Sequence, residues 1–166
     1  MNARYKIPGS DRVVEILALL ALLGAFYPLL FLNKLGEGVL LPVHYNTSGQ
    51  VDGWGGKWFL WLLPLIATVF YAGLSLLGRY PRILNYPREG VATRDESSAL
   101  RLVTAMLRYM KLLVLLIFAY LNNISYLIAI GERDRLNGVV MIVLLGGLFL
   151  VVLLFTIRIG RLAKTA

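Results

Sequence analysis

Side chains that can transfer protons or bind ligands are scarce in this chain, and several of them lie in residues 33–58. That segment holds the single histidine, His44, together with Asp52 and Lys57. His44 is the clearest candidate for a functional group, because an imidazole can donate, accept or change charge near neutral pH. Structural roles are the alternative: a hydrogen bond made by His44 beside Tyr45, and a turn cap at Asp52.

Several kinds of chemistry are excluded by composition. The chain has no cysteine and one histidine, which removes disulfides, thiolate nucleophiles, Cys-ligated metals and multi-histidine metal sites. It also lacks a Gly-rich phosphate loop, a His-containing triad within an apolar segment, and paired carboxylates there. We therefore expect no enzymatic activity, no catalytic residues, and no metal or other cofactor.

The residues that position these groups are mostly apolar. Of the 166 residues 58% are hydrophobic and only 16% are charged, a composition far from that of soluble domains. At about 1.5 Å per residue, stretches of about 20 residues match the roughly 30 Å hydrocarbon core of a bilayer. The apolar stretches are residues 13–32, 59–77, 112–130 and 138–157. They predict an all-α integral membrane protein, a single four-transmembrane-helix bundle spanning residues 1–166.

The distribution of positive charge predicts the orientation of this bundle. Thirteen of the 17 Lys and Arg residues lie at the two termini or in residues 78–111, whereas the other two connections are balanced by acidic residues. By the positive-inside rule, both termini and the inner loop 78–111 are cytoplasmic, and the outer loop 33–58 is not. Because the net charge of +8 is a topology signal, we expect no nucleic-acid partner.

The outer loop has the pattern of a short β-hairpin. Residues 39–46 are apolar and β-prone, residues 46–49 are turn formers, and residues 50–52 can return antiparallel. The tryptophans at the end of the loop are typical of the membrane interface. The candidate functional residues of the loop are Pro42, His44, Tyr45, Asn46, Gly49, Asp52, Trp54 and Lys57.

The third helix is predicted to extend beyond the membrane. Thr93 and Glu96 have the spacing of a capping box, so the helix begins near Arg94 and reaches Ile130, longer than the bilayer requires. The part of the helix that exceeds the bilayer thickness forms a cytoplasmic extension. In this extension Arg101, Arg108 and Lys111 repeat along one face of the helix. We interpret it as a basic face that binds anionic lipid or a cytoplasmic partner. The alternative is that these side chains only snorkel to the membrane surface.

Polar residues within the apolar spans are the last candidates. Asn122, Asn123 and Ser125 lie near the middle of the third span, where buried amides are costly without partners. We expect them to form hydrogen bonds between helices, with a polar ligand or ion site as the alternative. Pro28 and Pro64 each remove a helix hydrogen bond and are expected to bend the first and second spans.

The loop motif resembles a known bacterial membrane family. Leu41-Pro-Val-His-Tyr-Asn46, Gly49, Asp52-Gly-Trp54 and Lys57, followed by a Pro-containing span, are similar to the signature of the family called domain of unknown function 1648. Residues 81–87 and 107–120 are similar to the segment after the second span in small members. The same module resembles the N-terminal half of SdpI-type toxin-immunity proteins, which implies protection from a secreted peptide and signalling to a repressor.

These observations lead to one leading functional expectation and two alternatives. We expect a non-enzymatic protein of the bacterial cytoplasmic membrane whose outer loop senses or binds an extracytoplasmic peptide or small ligand, as in immunity or signalling. The first alternative is a small accessory subunit that packs on partner proteins or on further copies of itself within the lipid bilayer. A transporter is a weaker alternative, because spans without charge make an ion path difficult.

Overall fold

The computed structural model describes residues 9–80 and 93–164 of the chain. The helices are α1 (Gly9–Phe26), α2 (Phe59–Arg79), α3 (Thr93–Ala129) and α4 (Gly138–Lys164), with a 3₁₀ helix, η1 (Tyr27–Lys34), after α1. The strands are β1 (Leu41–Tyr45) and β2 (Val51–Gly55). Segment 81–87, which resembles small members of the family, lies outside the described residues. The capping-box side chains of Thr93 and Glu96 are not described either.

The prediction of four helices long and apolar enough to cross a membrane is confirmed. They occupy Asp11–Lys34, Phe59–Arg79, Ser98–Ala129 and Gly138–Leu162. The third helix agrees with its expected bounds to within one residue at each end. The helix α3 is the centre of the bundle, since α1, α2 and α4 all pack on it. We call the end that bears the strands the hairpin end.

Small side chains allow α1 and α2 to approach α3 closely. Ala18 and Ala21 of α1 and Ala67 of α2 are buried around Leu115 of α3, which has no exposed surface. Such alanines bring helix backbones together, as packing within membranes favours. By contrast, α4 makes its extensive contacts with α3 and none of comparable extent with α1 or α2 in the described residues. A groove therefore lies between α2 and α4.

The first span is not one continuous α-helix. Its α-helical part ends at Phe26, and the next eight residues are 3₁₀ helix, which usually persists for only three or four residues. Pro28 explains the change, because it has no N–H to donate to the carbonyl of Gly24 in an α-helix or of Ala25 in a 3₁₀ helix. Both carbonyls would lack a donor, which is costly where no water can replace it.

Asparagine side chains of α3 supply the missing donors. Asn123 Nδ2 donates to Gly24 O at 2.8 Å, and Asn122 Nδ2 donates to Ala25 O at 2.8 Å. Pro28 therefore breaks the hydrogen-bond ladder of α1 at the level where α3 carries two adjacent carboxamides. The expected hydrogen bonds between helices are present for Asn122 and Asn123, with backbone carbonyls as acceptors, whereas Ser125 bonds to Tyr45 of β1.

The second proline is compensated in the same way. Pro64 lies inside α2 and cannot donate to Leu60 O, four residues earlier. Asn122 Nδ2 donates to that carbonyl at 3.1 Å, in addition to its bond with Ala25 O. One carboxamide, only 1% exposed, thus joins α3 to both proline-interrupted helices.

The predicted β-hairpin is also present. β1 and β2 pair antiparallel, with irregularities in register around His44. In the turn, Asn46 Oδ1 accepts hydrogen bonds from the backbone N–H groups of Ser48 and Gln50. Gly49 has φ +78° and accepts a 2.8 Å hydrogen bond from the N–H of Leu136, between α3 and α4. A β-carbon at Gly49 would overlap the Leu136 carbonyl, so glycine lets the turn dock there.

The proline compensation predicts non-additive effects on stability. Asn122→Leu leaves two carbonyls without their donor, at about 1–3 kcal/mol each. Pro64→Ala restores a backbone N–H for Leu60 O, so Asn122→Leu should cost at least about 0.5 kcal/mol less in that background. Unfolding of the four proteins in detergent measures the difference.

The matched control is the neighbouring amide. Asn123 makes its hydrogen bonds to Gly24 O and Ala119 O, so the effects of Asn123→Leu and Pro64→Ala on stability should add. Additive effects for Asn122→Leu and Pro64→Ala as well would contradict the proposed compensation.

Candidate functional site

A cavity lies at the hairpin end, below the strands and between the ends of α2, α3 and α4. Its volume is about 520 Å³, which falls within the range of ligand pockets, roughly 300–1,000 Å³. We call it the hairpin cavity. It brings together two groups of candidate residues that are distant in sequence, from the loop and from the third span. They are Pro42, His44, Tyr45, Asn46, Gly49, Asn122 and Ser125.

The polar part of the cavity wall is formed where β1 meets α3. Tyr45 OH and Ser125 Oγ are 2.9 Å apart and share a hydrogen bond in which either hydroxyl can donate. Desolvation by burial is the main reason that the pKa of Tyr45 is raised, so the hydroxyl stays protonated at neutral pH. The pair therefore offers a ligand both a donor and an acceptor.

Asn122 adds a third polar group to this wall. Both of its hydrogen bonds to described residues are made by Nδ2, which leaves the carboxamide oxygen as an acceptor. The same side chain that compensates the prolines thus also lines the cavity. An occupant here would contact a residue on which the packing of α1 and α2 depends.

His44 lies in a separate, exposed pair. Its Nδ1 is 2.5 Å from Asp52 Oδ1, and the two side chains are 72% and 43% exposed. Gly53 makes room for this arrangement, since a β-carbon there would be 2.8 Å from the His44 β-carbon. His44 lines the cavity, whereas Asp52 does not, so the pair places the imidazole at its edge. The hydrogen bonds of His44 and of Tyr45 form two distinct pairs rather than one relay.

Four candidate residues of the outer loop and the third span do not line the cavity. Besides Asp52, these are Trp54, Lys57 and Asn123. Lys57 Nζ donates to Leu35 O at 2.7 Å and so fixes the end of η1 against the start of α2. Trp54 is 52% exposed on β2. These contacts give Lys57 a structural role in holding the loop over the helices.

The remaining walls of the cavity were not predicted from the sequence. They comprise Leu136 before α4, residues of α4, the first turns of α2, and Leu121 of α3. One local signal was available, because Leu136 is the only large apolar residue in the polar connection 131–137. Its burial against the hairpin explains why an apolar side chain stands there.

The predicted inner basic face is wrong for two of its three residues. Arg101 is exposed, but Arg108 is 7% and Lys111 only 1% exposed. Both buried cations face α1, where Arg108 pairs with Asp11 and Glu15, and Lys111 Nζ lies 2.6 Å from Glu15 Oε2. A buried cation requires a nearby anion, and α1 supplies two. The face assigned to lipid is therefore a contact between helices.

The contacts of Lys111 extend this cluster to α2. Its Nζ donates to Ser75 Oγ at 2.9 Å and lies 4.9 Å from the centre of the Tyr71 ring. The ammonium group thus has an anion, a hydroxyl and an aromatic face around it, from two different helices. At this end, away from the hairpin, it joins α1 and α2 to α3.

Removing one side of this ion cluster should be strongly destabilising. Glu15→Gln removes the carboxylate that Arg108 and Lys111 share, and breaking a buried pair costs about 3–5 kcal/mol. Replacing Glu15 and Lys111 together by Leu should cost less than Glu15→Gln, because no unpaired charge remains. Arg101→Gln is the control, expected within about 0.5 kcal/mol of the unaltered protein. Equal losses for Arg101→Gln and Glu15→Gln in detergent unfolding would refute the assignment.

Comparison with known proteins identifies a family for one part of the chain. No curated protein and no solved structure shows significant similarity to the chain. A family model matches residues 16–68. This segment runs from α1 through η1 and the hairpin into α2, and so contains Pro28, Pro64 and the loop motif. It excludes Asn122 and Ser125, the α3 side of the cavity. Residues 16–68 match the family model described as Domain of unknown function (DUF1648), which confirms the resemblance predicted from the loop motif.

Proposed function

We propose that this chain is a non-enzymatic membrane protein that binds a small ligand in the hairpin cavity. The observation that carries the proposal is a space of about 520 Å³ with apolar walls, into which three hydrogen-bonding side chains converge. Ligand sites typically have apolar walls with a small number of precisely placed polar groups. Tyr45, Ser125 and Asn122 are the residues that would orient the ligand.

Binding is favoured over catalysis by how the polar groups are arranged. The His44–Asp52 pair is exposed and separate from the buried Tyr45–Ser125 pair, so no described hydrogen bond joins a base to a nucleophile. A signalling role is consistent with Asn122, which lines the cavity and also holds α1 and α2. A ligand that contacts Asn122 can bias how these helices pack.

We place the hairpin end outside the cytoplasm and both termini inside, in the cytoplasmic membrane of a bacterium. At the hairpin end the charges of residues 33–58 and 131–137 cancel, whereas Arg79, Arg158 and Arg161 lie at the other end. The hairpin cavity then faces the outer leaflet. A role like that of SdpI-type immunity proteins would make the ligand part of an extracytoplasmic peptide.

One observation favours an accessory subunit instead. In the apolar window of α4 no residue is buried, and side chains such as Ile142 and Phe149 are 72% and 69% exposed. A partner helix could cover this face. Native-gel purification from mild detergent distinguishes the two functions, because an accessory subunit would migrate with a partner of fixed stoichiometry.

The proposed orientation is directly testable because the chain has no cysteine of its own. Thr47→Cys, in the exposed hairpin turn, should react with a membrane-impermeant thiol reagent on intact cells. Arg161→Cys, near the end of α4, should react only after the membrane is opened. Labelling of Arg161→Cys but not Thr47→Cys on intact cells would reverse the orientation.

Ligand binding is tested by filling the cavity. Gly138 lines the cavity, and a β-carbon there would meet open space, so Gly138→Trp should fold and occupy ligand volume. Gly146→Trp is the matched control, because Gly146 is also unobstructed on α4 but lies away from the cavity.

Native mass spectrometry of protein purified from its own membranes is the measurement. We expect a bound small molecule on the unaltered protein and on Gly146→Trp, and its loss from Gly138→Trp. An unaltered protein without any bound mass, or equal retention by both variants, would contradict the proposal.

A further inference from the structure

The walls of the hairpin cavity indicate a route of entry. Its sides are Leu62 and Leu63 of α2 and Met141 and Ile142 of α4, and Leu121 of α3 lies between them. Because α2 and α4 both pack on α3 without extensive contact with each other among the described residues, the cavity continues the groove between them. On this side α2 and α4 do not close against each other, and we call this side of the cavity the lateral opening.

The lateral opening lies below the ends of the helices. Leu63 is four residues into α2, Ile142 is four residues into α4, and Ser125 is four residues before the end of α3. At 1.5 Å per residue this is about 6 Å inside the helix ends. In a bilayer that depth corresponds to the boundary between headgroups and acyl chains, where amphiphilic molecules place their polar groups.

The surface around the opening is apolar. Ile142 is 72% exposed and its neighbour Val139 is 68% exposed, both on the α4 side. In a spanning helix such side chains contact hydrocarbon, so the groove opens toward lipid chains rather than water. A ligand with a long apolar part can pass between membrane and cavity without crossing water.

The charge of the lining limits what the ligand's polar part can be. Apart from His44 at the edge, every lining residue is uncharged, and Asp52 and Lys57 lie outside the lining. An ionised group placed among Leu60, Leu63 and Leu121 would have no counter-ion and would be costly. The hydroxyls of Tyr45 and Ser125 and the carboxamide oxygen of Asn122 suit a neutral partner that donates and accepts, such as a hydroxyl group.

We infer that the ligand of the hairpin cavity is an uncharged single-chain amphiphile that enters from the membrane between α2 and α4. Its chain occupies the groove over Leu121, and its hydroxyl-bearing head bonds to the Tyr45–Ser125 pair and Asn122. The inference rests on the proposed ligand-binding function and adds the chemical class of the ligand and its route.

Monoolein, a neutral single-chain amphiphile, is the probe, and oleate at pH 8 is its charged counterpart. Each is titrated into purified protein in mild detergent, and one-to-one complexes are counted by native mass spectrometry. We expect monoolein to saturate one site and oleate to bind about tenfold more weakly or worse, since the lining offers no counter-charge. Oleate binding as tightly as monoolein would overturn the inference.

The route is tested by two neighbouring substitutions on α4. Ile142→Trp should obstruct the groove and weaken monoolein binding by about tenfold or more, in line with the loss of apolar contact in a pocket. Val143→Trp, equally exposed but not lining the cavity, should bind as the unaltered protein does. Identical binding by both variants would overturn the lateral route.

A wrong ligand class can be distinguished from the absence of ligand binding. If the unaltered protein retains a native molecule that monoolein does not displace, or retains a peptide, the proposed function stands and the ligand class is wrong. If the unaltered protein retains no native molecule and binds no monoolein, both proposals are wrong.

Discussion

Backbone carbonyls that lose their hydrogen-bond donor inside an apolar helix bundle are the constraint on which this structure depends. Pro28 and Pro64 create such carbonyls at Gly24, Ala25 and Leu60, and a buried carbonyl without a donor is costly. Asn122 and Asn123 of α3 supply all three donors. Because one side chain must reach both α1 and α2, the depth at which the three helices meet is determined by these bonds.

The rest of the bundle follows from this three-helix junction. The small side chains of Ala18, Ala21 and Ala67 let the helix backbones approach each other around Leu115. The Glu15–Lys111 ion pair joins α1 to α3 at the end away from the hairpin. The fourth helix takes no part in either contact and is positioned by α3 and by the link from Leu136 to the hairpin turn. The space between α2 and α4 therefore stays open, and the hairpin covers its upper end.

Much of this architecture follows from local sequence, because span length, turn formers and apolar content are local properties. The four helices and the hairpin were predictable for that reason. The burial of Arg108 and Lys111 was not, because their partners Asp11 and Glu15 lie more than 90 residues away and periodicity within α3 does not reveal them. The acceptors of Asn122 are backbone atoms, which carry no sequence signal except the proline four residues later.

The compensation of Pro64 by Asn122 can be measured as the distance between the Asn122 side-chain nitrogen and the Leu60 carbonyl in a lipid bilayer. Solid-state NMR with ¹⁵N-labelled asparagine and carbonyl-¹³C leucine, compared with Asn122→Asp to assign the signal, measures the dipolar coupling between them. We expect a coupling that corresponds to a hydrogen bond with an N···O distance near 3.1 Å. Absence of that coupling in the folded protein would contradict the compensation of Pro64 by Asn122.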